Sequence, residues 1–155
     1  MKRRTFLQGT VGAGAVIAAG SGLLSSAAVA DSHGGAMEAA FKADNLEAAL
    51  DVIGAKDAAD SADIKIKAPE IAENGAVVPV TVSSTIEGVT EIAILVPNNP
   101  APMAAAFTLG ENSVATASTR LKMGKTSDVV AIVKTADAVH MAKQEVKVTI
   151  GGCGG

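Results

Sequence analysis

From Ile64 onward the chain alternates apolar and polar side chains with a period of two, in short runs broken by turn residues. That period belongs to extended strands with one buried face, and it excludes helix as the main fabric of this stretch. Ile64/Ile66, Val78/Val80/Val82 and Ile92/Ile94/Val96 each put apolar side chains on one side of a segment. The pattern continues near Met103–Leu109, Ser113–Lys122, Asp128–Lys134 and Val139–Ile150, where Val146, Val148 and Ile150 alternate with Lys147 and Thr149. Between the runs lie Glu73-Asn74-Gly75, Glu87-Gly88, Asn98-Asn99-Pro100, Gly110-Glu111-Asn112 and Gly124-Lys125. About seven short strands at such spacing predict an antiparallel β-sandwich of immunoglobulin-like architecture. The Cys…Trp…Cys signature of true immunoglobulin domains is absent, because the chain has one cysteine and no tryptophan.

Ahead of the strands, Ala36 to about Ile53 reads as a single N-terminal helix. Met37/Phe41 and Leu46/Leu50/Ile53 recur at helical spacing, with Glu38, Lys42, Glu47 and Asp51 opposite. Gly54 suits the C-terminal end of that helix, and Asp57 to Asp63 reads as a polar connection. Beyond residue 30 the aromatics are Phe41 and Phe107, so the core must be built from Val, Ile, Leu, Met and Ala.

The first 30 residues have a different logic. Lys2-Arg3-Arg4-Thr5-Phe6-Leu7-Gln8 is a basic region with a twin-arginine pair, Arg3 and Arg4, followed by apolar residues. A weakly hydrophobic Gly/Ala-rich stretch follows to about Leu24, and Ala28-Val29-Ala30 is a cleavage site of the A-x-A type. Gly12, Gly14, Gly20, Ser21 and Gly22 break the run of about 20 apolar residues that a membrane span needs. Residues 1–30 are therefore expected to be a twin-arginine signal peptide, 31–150 the helix plus β-sandwich domain, and 151–155 a separate tail. The expected location is the periplasm.

Removing the leader takes Lys2, Arg3 and Arg4 and moves the formal net charge from −3 to −6. With no basic block and almost no aromatic residue to stack on bases, a nucleic-acid partner is not expected.

The tail Gly151-Gly152-Cys153-Gly154-Gly155 holds the only cysteine. Glycine provides no packing and resists order, so the tail is built for reach and slenderness. From Ile150 the thiol can extend on the order of 10 Å. One cysteine cannot form an intramolecular disulfide; in an oxidising compartment it stays free, carries a ligand or bonds to another molecule. Cys153–Cys153 dimers are one such bond. Nothing nearby in sequence is expected to lower the pKa of Cys153, and a terminal carboxylate at Gly155 is expected to disfavour the thiolate, so activation is expected from a partner's pocket. Without an activating base a one-cysteine peroxidase or thioltransferase is poorly supported. An exported structural sandwich tethered by one intermolecular disulfide is the alternative.

Other chemistry is thin. No Cys-x-x-Cys pair exists, and His33 and His140 are too far apart in sequence to make a metal motif. No metal or organic cofactor is expected. Pro97 to Pro102 reads as a stiff loop with some apolar surface, a plain turn in preference to a docking feature.

Together, the twin-arginine leader, one small mainly-β domain and the terminal Gly-Gly-Cys-Gly-Gly resemble the SoxY family, sulfur carriers of the periplasmic Sox thiosulfate-oxidation system. The resemblance implies a carrier protein and not an enzyme. It implies that Cys153 is the covalent attachment point for sulfur intermediates, with Gly151, Gly152, Gly154 and Gly155 as a swinging arm. It further implies a SoxZ-like subunit forming a heterodimer. The loaded arm would visit a c-type cytochrome complex, a thiosulfohydrolase and, in some organisms, a sulfane dehydrogenase.

Overall fold

The structure, a computed structural model, describes residues 32–149. Two helices, α1 (Ser32–Lys42) and α2 (Leu46–Val52), precede the strands. These are β1 (Ala59–Asp60), β2 (Ile64–Lys67), β3 (Ile71–Ala72), β4 (Val78–Ser84), β5 (Val89–Leu95), β6 (Met103–Thr108), β7 (Thr116–Leu121), β8 (Ser127–Thr135) and β9 (Val139–Val148). The expected runs correspond to β2 and to β4 through β9. The chain is mainly β, as its periodicity predicts, and no helix among the described residues is long and apolar enough to cross a membrane.

The expected single helix is two. Asn45 takes an extended backbone conformation (φ −147°, ψ 159°), and its side-chain oxygen accepts from the Ala48 amide at 2.8 Å. That is an N-cap: a short polar side chain offers the backbone an alternative to continuing the first helix, and starts the second. Gly54 ends α2 as expected. It sits at φ +66°, its amide donates to the Asp51 carbonyl at 3.0 Å, and the Ala55 amide reaches the Leu50 carbonyl at 2.7 Å. This is a Schellman arrangement, for which glycine tolerates the left-handed position.

The strands form two sheets. The larger runs β1-β9-β8-β5-β6, with β3 also on the outer edge of β9; the smaller runs β2-β4-β7. The main ladders are antiparallel. The two-residue strands depart from the antiparallel expectation: β1 and β3 pair parallel with β9, Ala59 opposite His140 and Ile71 opposite Lys147. Segments of two residues have no period to read, and they are strands only because β9 presents an edge to them. The chain leaves that edge after β1, contributes β2 to the small sheet, and returns as β3.

Between the sheets lies one core, in which Val78, Val80 and Val82 meet Ile92, Ile94, Val129, Ala131, Val133 and Val146. A second core lies on the other face of the large sheet, where Ala93, Leu95, Val130 and Ile132 are covered by Ala40, Ala49, Ile53 and Ala55. The fold is thus a sandwich with a helical third layer. Alanine at 40 and 49 is fully buried, while Phe41, expected on the apolar face, remains 40% exposed. The fully buried positions within the two helices are thus alanines, the smallest apolar side chains. β5 and β8 are consequently buried on both faces from Ile92 to Leu95 and from Val129 to Val133, not half-buried as alternation alone suggests.

Candidate functional site

Arg3, Arg4, Gly151, Gly152, Cys153, Gly154 and Gly155 all lie outside the described residues. The described part of the site is the post from which the tail departs, the last turn of pairing in β9. Along one side β9 follows β8 from Val139 opposite Lys134 to Val146 opposite Ser127. On its other side the Lys147 amide donates to the Glu70 carbonyl at 2.9 Å, and the Thr149 amide to the Ala72 carbonyl at 3.1 Å. The Val148 amide, pointing the other way, donates to the Thr126 hydroxyl at 3.0 Å. Each residue from 147 to 149 is held through its amide, so direction is imposed on the chain up to Thr149 itself.

Three loops hold those partners in place. Asn98 donates through its side-chain amide to the Thr126 carbonyl at 2.8 Å, and through its backbone to the Ser127 hydroxyl at 3.2 Å. Asn99 donates to the Lys122 carbonyl at 2.7 Å and accepts from the Gly124 amide at 3.1 Å. The Met123 amide donates to the Gly75 carbonyl at 2.7 Å. Gly75 itself is a point of close approach: a methyl group there would overlap the Met123 carbonyl and come within 2.8 Å of Val148 Cγ1. Only glycine lets the β3–β4 loop lie this close to the end of β9. The plain turn expected at Pro97–Pro102 is therefore a brace, built by two consecutive asparagines that satisfy backbone groups of the β7–β8 loop.

This brace is not among the features expected from the sequence. Its only signal was the pair Asn98-Asn99, a residue type whose side chain readily bonds backbone groups. From Thr149 the Cys153 residue is four positions on, a reach of about 13–14 Å when extended.

The other expectations fall elsewhere. His140 lies half-buried on β9, opposite Ala59 and Val133 and far along the strand from Thr149. His33 is on α1. Among the described residues no group of three or more His, Cys, Asp or Glu side chains converges as a metal site. Lys134 and Glu91, neighbours across β5 and β8, form a largely buried ion pair at 2.9 Å, beside a shallow cleft lined by Met37, Val52 and Ile53. Its two charges are spent on each other.

Residues 49–153 match the family model described as "Sulfur oxidation protein SoxY", a match that runs through the strands to Cys153. Among solved structures, the chain is similar to the sulfur carrier protein SoxY from Chlorobium limicola f thiosulfatophilum. The identity is 42% over 70% of this chain and 96% of that one, with a TM-score of 0.62. No curated protein sequence matches the chain.

Proposed function

The chain belongs to the SoxY family of sulfur oxidation proteins, and from that premise we propose that it carries sulfur intermediates covalently on the Cys153 thiol. The observation that carries this reading is positional. The only cysteine of the chain stands four residues beyond Thr149, whose backbone is tied to Ala72, and it is flanked on both sides by Gly-Gly. A fixed post ending in a slender segment delivers a bound atom over about 13–14 Å without moving the domain.

The chemistry balances with a thiolate and two partner enzymes. The Cys153 thiolate joins the outer sulfur of thiosulfate, forming one S–S bond and releasing two electrons, which a c-type cytochrome complex takes. Water then cleaves the sulfur–sulfonate bond in a thiosulfohydrolase, giving sulfate, two protons and a persulfide that remains on Cys153. Both adducts are bonds of the kind that exchange can break again. Activation of the thiol falls to the partner's pocket, so the protein is a substrate-bearing carrier and not the catalyst. Its other expected associate is a SoxZ-like subunit. The twin-arginine leader, Arg3 and Arg4, directs the folded chain to the periplasm, and no organic cofactor or metal is required of it.

Intact-mass spectrometry of the protein from host periplasm tests this, with and without thiosulfate and before and after reductant. Reductant-labile adducts of sulfur, or of sulfur plus sulfonate, are expected to grow with thiosulfate and to vanish in Cys153→Ser. A thiol that stays unmodified, or one protein-to-protein disulfide insensitive to thiosulfate, would instead make the chain a tethered structural module.

A further inference from the structure

Among the described residues the small sheet has one buried face and one bare face, and the strands of the bare face carry charge of one sign. In β2 (Ile64–Lys67) the inward residues Ile64 and Ile66 leave Lys65 and Lys67 outside. In β4, Val78, Val80 and Val82 point inward and Pro79, Thr81 and Ser83 outward. In β7, Ala117 and Leu121 are buried, and Thr116, Ser118 and Arg120 are exposed. The register aligns Lys65 with Ser83 and Thr116, and Lys67 with Thr81 and Ser118, while Arg120 sits opposite Pro79. The outer surface is thus three cations among hydroxyls, with no carboxylate on any of its strands. None of the three cations forms an ion pair among the described residues.

This is unexpected in a chain that carries net charge −6 once residues 1–30 are removed. Six carboxylates lie instead in the helical layer and the segment after it, Glu38, Asp44, Glu47, Asp51, Asp57 and Asp60, where Lys42 and Lys56 pair with Glu38 and Asp51. The loops that bound the strands of the bare face do carry carboxylates: Asp63, which accepts from the Thr85 hydroxyl, Glu70 and Glu73 between β2 and β4, Glu87 after β4 and Glu111 ahead of β7. The cationic strip also has a direction. Beyond Arg120 it continues through the exposed Lys122 and Lys125 into the β7–β8 loop, whose Thr126 holds the Val148 amide at the base of the tail.

We propose that this face is where the electron-accepting protein that loads the Cys153 arm docks, through an acidic surface of its own; the inference rests on the carrier reading above. Spacing argues for a protein surface over a single oxyanion. Lys65 and Lys67 are about 7 Å apart along their strand, and Arg120 lies two strands away, about 10 Å across and further along, so one small anion cannot engage all three. A second copy meeting the same face would oppose like charges. Exposed charges of one sign, facing a surface of the other, set association rate and its salt dependence more than the final affinity. That suits a carrier, which must bind, react and leave. The strip then places the partner's mouth within reach of the arm.

The test is the triple variant Lys65→Glu/Lys67→Glu/Arg120→Glu, whose side chains all point to solvent. Purified wild-type and variant full-length chains, each with its SoxZ-like subunit, are given thiosulfate and the cytochrome complex of the host. The rate of adduct formation at Cys153 is followed by intact mass from 20 to 300 mM salt. Expected are an unchanged melting temperature, unchanged alkylation of Cys153 by iodoacetamide, and at least a 10-fold slower adduct formation at low salt with a flattened salt dependence. Equal rates and equal salt slopes would overturn the docking face and leave the carrier reading intact. Absence of any adduct on the wild type would overturn both. Loss of binding to anionic lipid vesicles, with enzyme rates unchanged, would assign the face to a membrane and overturn the proposal.

Discussion

The two sheets differ in what covers them, and the difference separates stability from recognition. The large sheet is sealed on one side by the small sheet and on the other by α1 and α2, so β5 and β8 are apolar at consecutive positions. Among the described residues nothing packs on the outer side of the small sheet, and β2, β4 and β7 alternate strictly, with hydroxyls and cations facing outward. A strand buried on both faces has no freedom to carry polar groups, whereas a one-sided strand offers half its positions to other work. The tail leaves from β9, which belongs to the sealed sheet and is pinned on both edges near its end. The residues leading to the tail are thus part of the doubly buried sheet, and the exposed charge lies on the one-sided sheet.

Three substitutions sharpen or break this contrast. Ile132→Ala removes a fully buried side chain from the helix-covered face of β8 and is expected to cost about 2–5 kcal/mol in denaturant unfolding. A loss well under 1 kcal/mol would mean that the helices are loosely seated and that the large sheet is not sealed. Asn45→Ala removes the cap that starts α2 and should cost about 1 kcal/mol, with adduct formation on Cys153 unaltered; a change in loading would show that the helical layer bears on the arm. Thr81→Ala on the bare face breaks the 2.9 Å hydroxyl pair with Ser118 and is expected to shift stability by about 0.5 kcal/mol or less. A large loss there would show that the bare face is covered by something in the functional assembly.

Much of this was readable in residue order. Alternation located the long strands, and Gly54 marked a helix end that the backbone confirms at φ +66°. The helix break was less legible, because Met37, Phe41, Leu46, Leu50 and Ile53 keep an apolar spacing across it. The cap at Asn45 decides locally against that spacing. β1 and β3 were not legible at all, since two residues carry no period and their pairing depends on an edge about 80 residues away in the chain. The continuous apolar runs Ile92–Val96 and Val129–Val133 were present to be read, yet alternation within them made them look half-buried. The brace at the tail was invisible for a related reason. Val148 and Thr126 are 22 residues apart, and Asn98 and Thr126 are 28 apart.

By itself the order of residues determined the mainly-β character, the place of the single thiol among four glycines, and the polarity of the two faces of β2, β4 and β7, because side-chain period and glycine freedom are local properties. Only the tertiary structure decided that the helices form a third layer, that β3 and Thr126 clamp the end of β9, and that Lys65, Lys67 and Arg120 share one face of the small sheet. Those are encounters between segments distant in the chain. Which groups meet is settled by how two sheets and a helix pair close over their apolar faces, and no single segment contains that information.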